Sequence, residues 1–219
     1  MLLCKLASIA SFLHLQEKVA CLSKVTKGDD MSNKRVQQQI KKSLSPELYQ
    51  HSVGVAEMAV ILAKQLGYDE KKAYLAGLLH DCARDWTERD LLRYAEKNGI
   101  EADKFSQKYP VLLHAAVGAA YVQDWGVDDN EILAAIRNHT LGYPGMSLLE
   151  QITYVADKIE QGRTYPGVEE LRRTVHADFY QGLLAVAEQS ISYILHKRQP
   201  LHPATISFWN WLVGQSKGE

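Results

Sequence analysis

The chain has 219 residues, of which 46% are apolar and 23% charged, the profile of one ordinary globular domain with a sizeable core. The 25 Lys and Arg nearly balance the 26 Asp and Glu, which argues against a nucleic-acid coat or a polybasic membrane binder. Three cysteines, Cys4, Cys21 and Cys82, cannot build a disulfide framework, so a cytoplasmic location is expected.

No stretch reaches the roughly 18 uninterrupted apolar residues of a membrane helix. The opening MLLCKLASIASFLHL is broken by Lys5, Ser8, Ser11 and His14 and lacks a basic lead and a cleavage site, so it does not read as a signal peptide. Residues 1–30 end in the loop-like Lys27-Gly28-Asp29-Asp30, and the text from Met31 reads like the start of a protein. We therefore expect an N-terminal extension over 1–30, either the product of an upstream start codon or a disordered segment or short helix, and one domain over 31–219.

The rest reads as helix after helix. Ser45-Pro46 opens a helix carrying Leu48, Val55, Met58, Ala59, Leu62 and Leu66, and Gly67 closes it. Asp69 caps DEKKAYLAGLLHDCAR, and Thr87 opens TERDLLRYAEKN before Gly99. Pro110 starts a segment ending at Gly126, Asp128 or Asp129 caps the next, and Ser147 caps SLLEQITYVADKIEQGR. Val168 to Gln199 is helical with a break near His176-Ala177-Asp178, and Pro203 opens a last helix. In that helix Ile206, Phe208, Trp209, Trp211 and Leu212 read as packing surface rather than a ligand box. No alternating strand pattern or hairpin signal occurs, so the class is all-α, a single helical bundle.

Histidines punctuate these helices. His51, His80, His114 and His139 each lie in or at the end of an apolar segment, Asp81 follows His80 directly, and Asp157 sits among Val155, Ala156 and Ile159. A buried carboxylate is costly without a partner, and a metal cation is one. Each residue alone reads as an ordinary hydrogen-bonded core group. The set, spaced 18 to 33 residues apart, lets ligands from several helices converge on one bundle interior. Imidazole with carboxylate is a normal ligand set for iron, manganese or zinc.

The order His51, His80-Asp81, Asp157 resembles the HD superfamily of metal-dependent phosphohydrolases. The segments YQHSVGVAEMA, LAGLLHDCARDW, PVLLHAAVGA, IRNHTLG and YVADKIEQGRTYPGVEELR resemble, in order, the motifs of the bacterial YqeK family, over about residues 35–198. That resemblance implies an HD-domain bundle and a symmetrical bis(5'-nucleosyl)-tetraphosphatase that cleaves diadenosine tetraphosphate to two ADP by hydroxide attack. It implies six ligands, with His51, His80, Asp81 and Asp157 matching the superfamily set and His114 and His139 the two added in members holding two metals. Two divalent ions bridged by Asp81 are then expected, iron first and manganese or another transition metal next. Asp81 is thus named as a catalytic residue too.

Arg84 departs from the family, which carries Lys four residues after the histidine. It keeps the charge and is expected to bind a phosphate oxygen and act in catalysis, with preference or rate altered. Arg163, Thr140 and Tyr165 are candidate substrate contacts, each balanced by a plainer role as a helix-end charge, a cap or a turn residue. Lys158 is expected on another helix face, Asp85 as an aid to Arg84 or a surface acid, Arg172 and Arg173 at the surface, and Cys82 as a small buried residue. His14, His176, His196 and His202 receive no role. A nucleotide partner is implied, without nucleic acid or membrane, and a homodimer is in keeping with the family. The alternatives are another HD nucleotide phosphohydrolase, either nucleotidase or phosphodiesterase, and a non-catalytic nucleotide-binding regulator. An HD-type di-iron oxygenase ranks lower.

Overall fold

The computed structural model describes residues 30–216. Two compact units divide the chain, residues 1–38 and 39–219. The expected extension over 1–30, with His14, falls outside the described residues except for Asp30. The first described helix, α1, is Asp30–Ser43.

Most later helices begin on a residue that accepts their free N–H groups or on a proline that lacks one. α2 (Pro46–Leu66) has Pro at its first turn and ends on Gly67 in the left-handed region, at φ 67°. α3 (Glu70–Leu79) is capped by Asp69, and α4 (Glu88–Lys97) by Thr87. Asp103 caps α5 (Lys104–Lys108), a helix the sequence reading missed because five residues carry no periodicity. The segment from Pro110 to Gly126 is not one helix. A 3-10 turn (Pro110–Leu113) leads into α6 (His114–Tyr121), and another (Val122–Trp125) leaves it. α7 (Asn130–Asn138) takes its cap from Asp129. α8 (Leu148–Ile159) starts with a reciprocal capping box between Ser147 and Glu150 and stops four residues short of the expected end at Arg163. The expected break at Asp178 separates α9 (Val168–Ala177) from α10 (Phe179–His196), and α11 (Pro203–Ser216) follows. No strand occurs among the described residues.

In the second unit, α2, α3, α7 and α8 pack on one another, α6 lies on α7, and the α9–α10 pair covers α8. Their shared core is Val55, Met58, Leu62, Leu78, Leu79, Ile136, Leu149, Ile152 and Ile159. Each such side chain contributes about 1.5–3 kcal/mol on leaving water. α2 and α3 touch through Gly77, where an added Cβ would lie 2.8 Å from the Ala56 Cα. That contact draws the end of α3 against the helix carrying His51. A smaller cluster of Ala83, Leu91, Ala95, Leu113 and Val117, flanked by Trp86 and Tyr94, holds α4 under the turn that follows α3. In α11, Phe208 and Leu212 are buried as packing surface, whereas Ile206 is exposed.

Candidate metal centre

The four histidines reach one interior point from four elements, and three use the same local device. His80, just past the end of α3, has Nδ1 2.7 Å from the Gly77 carbonyl. His114, at the start of α6, has Nδ1 2.6 Å from the Val111 carbonyl. His139, just past α7, has Nδ1 2.7 Å from the Ile136 carbonyl. Each partner lies three residues earlier in the chain. A carbonyl only accepts, so each Nδ1 carries a proton, and in the neutral ring Nε2 is the nitrogen left to ligate. His51, in the first turns of α2, differs in using a carboxylate: its Nδ1 is 3.2 Å from Glu160 Oε1.

These Nε2 atoms surround two buried carboxylates. Asp81 turns Oδ1 toward His114 and His139, at 3.1 and 3.3 Å, and Oδ2 toward His80, at 3.4 Å. Asp157, on the buried face of α8, places Oδ1 3.1 Å from His51 Nε2 and 3.8 Å from His80 Nε2. The donor atoms form three overlapping groups able to hold a cation: His51, His80 and Asp81; His80, His139 and Asp157; and Asp81, His114 and His139. All six residues expected as ligands therefore meet in one cluster.

These nitrogens are short of protein donors. His80 Nε2 is fully buried and has no hydrogen-bond partner. His114 and His139 bring their Nε2 atoms within 3.3 Å of each other and share a single donor, the Thr140 hydroxyl, whose one proton can serve only one of them. A buried acceptor left without a donor costs about 1–3 kcal/mol, and facing lone pairs add repulsion. A cation among these atoms removes both costs, so the residues fit a metal. The metal-free electrostatics differ between the two ends: burial lowers His51, but hydrogen bonds to Asp157 and Glu160 raise it to about 9, so a metal binding there displaces a proton. Burial pushes His139 down to about 4, leaving it neutral at pH 7 as a ligand must be. Burial alone would raise the Asp81 carboxyl, but the surrounding imidazoles hold it well below the usual range. Burial would likewise raise Asp157, yet Lys158 and His51 hold it low.

The other expected residues separate into groups. Arg163 reaches the cluster: Nη2 is 2.6 Å from Asp157 Oδ1 and 3.2 Å from His51 Nε2. Thr140 also reaches it, its hydroxyl lying 2.9 Å from His139 Nε2 and 3.1 Å from His114 Nε2. Tyr165 lies at the edge and donates its hydroxyl to the Lys158 carbonyl, at 2.7 Å. Arg84 is exposed. It does not sit on a helix with His80, because α3 stops at Leu79. Residues 80–86 form tight turns instead, closed by bonds such as Cys82 N–H to the Leu79 carbonyl and Arg84 N–H to the Asp81 carbonyl.

Three further expectations are corrected or refined. Lys158 does not face away: its Nζ is 2.5 Å from Asp157 Oδ2, because its long stem folds back along the helix. Asp85 accepts from the Ser45 N–H, at 2.8 Å, tying the turn after α3 to the start of α2. Arg172 is buried, unlike exposed Arg173, because it satisfies the carbonyls that end α8. Cys82 is buried, as expected. His176 pairs with Gln65, His196 is exposed, and His202 faces Asp103, so none joins the cluster. The residue that sequence reasoning missed is Glu160. It lies three positions past Asp157, a spacing that shares a helix face, and that spacing was the available signal.

The HD domain family model matches residues 48–162, the stretch that holds all six clustered residues. The chain belongs to the HD domain family. It is 40% identical over 178 residues to a symmetrical bis(5'-nucleosyl)-tetraphosphatase of Bacillus subtilis, an alignment spanning 81% of this chain and 95% of the relative. A protein of the same name from Halalkalibacterium halodurans is 37% identical, over 85% of this chain and all of the relative. A crystal structure from Clostridium acetobutylicum, described as a predicted HD superfamily hydrolase involved in NAD metabolism, superposes with a TM-score of 0.80 at 35% identity. It covers 84% of this chain and 97% of the other. Membership implies divalent metal binding, in agreement with the donor set. No helix among the described residues is long and apolar enough to cross a membrane.

Proposed function

We propose that this HD-domain chain is a symmetrical bis(5'-nucleosyl)-tetraphosphatase, hydrolysing diadenosine tetraphosphate to two ADP. The observation that carries the reading is the Asp81 carboxylate, which divides its two oxygens between separate sets of histidines. Such a carboxylate suits two ions. One would be held by His51, His80, Asp157 and Asp81, the other by His114, His139 and Asp81. Neutral imidazoles favour iron or manganese over magnesium, and we assign iron first. Two such ions, when bound, offset phosphate charge and bring the pKa of water toward neutrality.

The chain's own groups supply the rest. Arg84 is exposed, with no side-chain hydrogen bond or ion pair among the described residues, and able to swing onto a phosphate oxygen with its fork of donors. Arg163, only partly covered, is placed to exchange its contact with Asp157 for a phosphate at the His51 end. The Thr140 hydroxyl can donate to a phosphate oxygen at the opposite end, beside His114 and His139. Tyr165 keeps its hydroxyl on the backbone and offers its ring as a wall for a nucleoside. Relatives named for symmetrical cleavage support a cut between the second and third phosphates.

The test is incubation of the metal-loaded chain with diadenosine tetraphosphate, with products separated by chromatography and iron and manganese each supplied. ADP as sole product is expected. ATP with AMP, or no turnover with either metal, overturns the proposal.

A further inference from the structure

The turn after α8 carries two groups that touch the cluster, Glu160 against His51 and Arg163 against Asp157. A turn beyond a helix end has free carbonyls and few restraints of its own. Here those carbonyls converge on one side chain from α9. Arg172 donates Nε to the Ile159 carbonyl at 2.8 Å and Nη2 to the Glu160 and Arg163 carbonyls at 2.5 and 2.9 Å. Its Nη1 is paired with Glu169. The guanidinium is buried, and its planar fork meets three acceptors that a single-point ammonium cannot all reach. Within the same turn, Glu160 also accepts from the Gly162 N–H.

We infer that Arg172 is a positioning residue of the metal centre. It fixes the main chain of residues 159–163, so that Glu160 holds the His51 ring and Arg163 stays beside Asp157. Among the described residues Arg172 hydrogen-bonds to none of the six clustered side chains, and its effect on metal affinity runs through Glu160. The inference rests on the reading of the cluster as a metal site. It does not require the substrate assigned above.

The test is a double-mutant cycle on the full chain, read as Mn2+ affinity by calorimetric titration, with diadenosine tetraphosphate turnover measured separately. Outer partners of histidine ligands typically contribute about 10–100-fold in metal affinity. Arg172→Gln and Glu160→Gln should each weaken one Mn2+ equivalent by about tenfold or more, leaving the second unchanged. The double variant should bind within about twofold of Glu160→Gln alone, because both changes break one path. Arg172→Lys should recover part of the loss, and it carries the same cycle if the Gln variant does not fold. Unchanged Mn2+ affinity in a folded Arg172 variant overturns the inference. So do losses that multiply in the double variant, or that fall equally on both equivalents. Failure of the wild type to cleave the substrate while the Mn2+ cycle behaves as expected counts against the substrate assignment alone.

Discussion

Arg163 Nη2 lies 3.2 Å from the His51 nitrogen that faces the cluster, so a guanidinium stands where a cation would also be drawn. It competes for Asp157 as much as it supports it. Arg163→Ala should therefore bind Mn2+ at least as tightly as the wild type. Its kcat/KM for diadenosine tetraphosphate should fall tenfold or more, a loss of about 1.4 kcal/mol in transition-state stabilisation. Weaker Mn2+ binding in this variant would show that the side chain serves the ligands rather than the phosphate.

His80 and Asp81 join the two halves of the centre. His80→Ala and Asp81→Ala should each abolish turnover and lower bound metal, measured by elemental analysis of the purified variants. Full activity in both would refute the site. His80→Ala also removes a buried nitrogen that has no partner among the described residues, so that metal-free variant need not be less stable than the metal-free wild type.

Gly54 offers a sharper separation of stability from function. An added Cβ there would lie 2.6 Å from Glu160 Oε2, the carboxylate that holds His51. Alanine in a helix is favoured over glycine by about 1 kcal/mol. Gly54→Ala should thus keep its melting temperature or gain a little, while the displaced Glu160 releases His51 and Mn2+ affinity falls. A variant that binds Mn2+ normally would show that Glu160 can hold His51 from another rotamer.

Arg84 is exposed and makes no side-chain hydrogen bond or ion pair among the described residues, and substitutions of this kind usually change stability by less than about 0.5 kcal/mol. Arg84→Ala should melt with the wild type yet lose kcat/KM by about tenfold. Arg84→Lys should retain most activity. A kcat/KM equal to wild type in Arg84→Ala would remove this residue from the phosphate site.

Away from the centre, Asp103 caps α5 and faces His202. The Ser106 N–H holds its carboxyl below the usual range. A depressed carboxyl stabilises the fold above its unfolded pKa, near 3.9, and that contribution fades as pH falls through the lower folded value. Asp103→Ala should cost about 1 kcal/mol, or roughly 2–4 °C in melting temperature, at both pH 7 and pH 5. The difference between variant and wild type should narrow below about pH 4. A gap that stays constant to pH 3 would mean the ionised carboxyl is not what stabilises the cap.

The helical class, most of the caps and the convergence of the six clustered residues were readable from residue types and spacing, because capping and apolar periodicity are local signals, whereas their assignment as ligands came from the family resemblance. Asp69, Thr87 and Ser147 all stand where such signals put them. The misread residues depend on tertiary context. Arg172 is polar by type and buried only because α9 folds over the end of α8. Lys158 reaches Asp157 through side-chain reach that a helical wheel ignores. α5 is too short to show a period, and the turns after Leu79 follow from Asp81 and its neighbours rather than from helix propensity.

The histidine aiming device divides the centre unevenly. His80, His114 and His139 take their tautomer and direction from main-chain carbonyls three residues upstream, which no substitution elsewhere can delete. His51 depends on a side chain, and so on everything that steadies that side chain. Mutational damage from a distance should accordingly reach this one end while the other stays intact. The same asymmetry makes the His51 end the place where variation can retune metal hold and exchange without dismantling the rest.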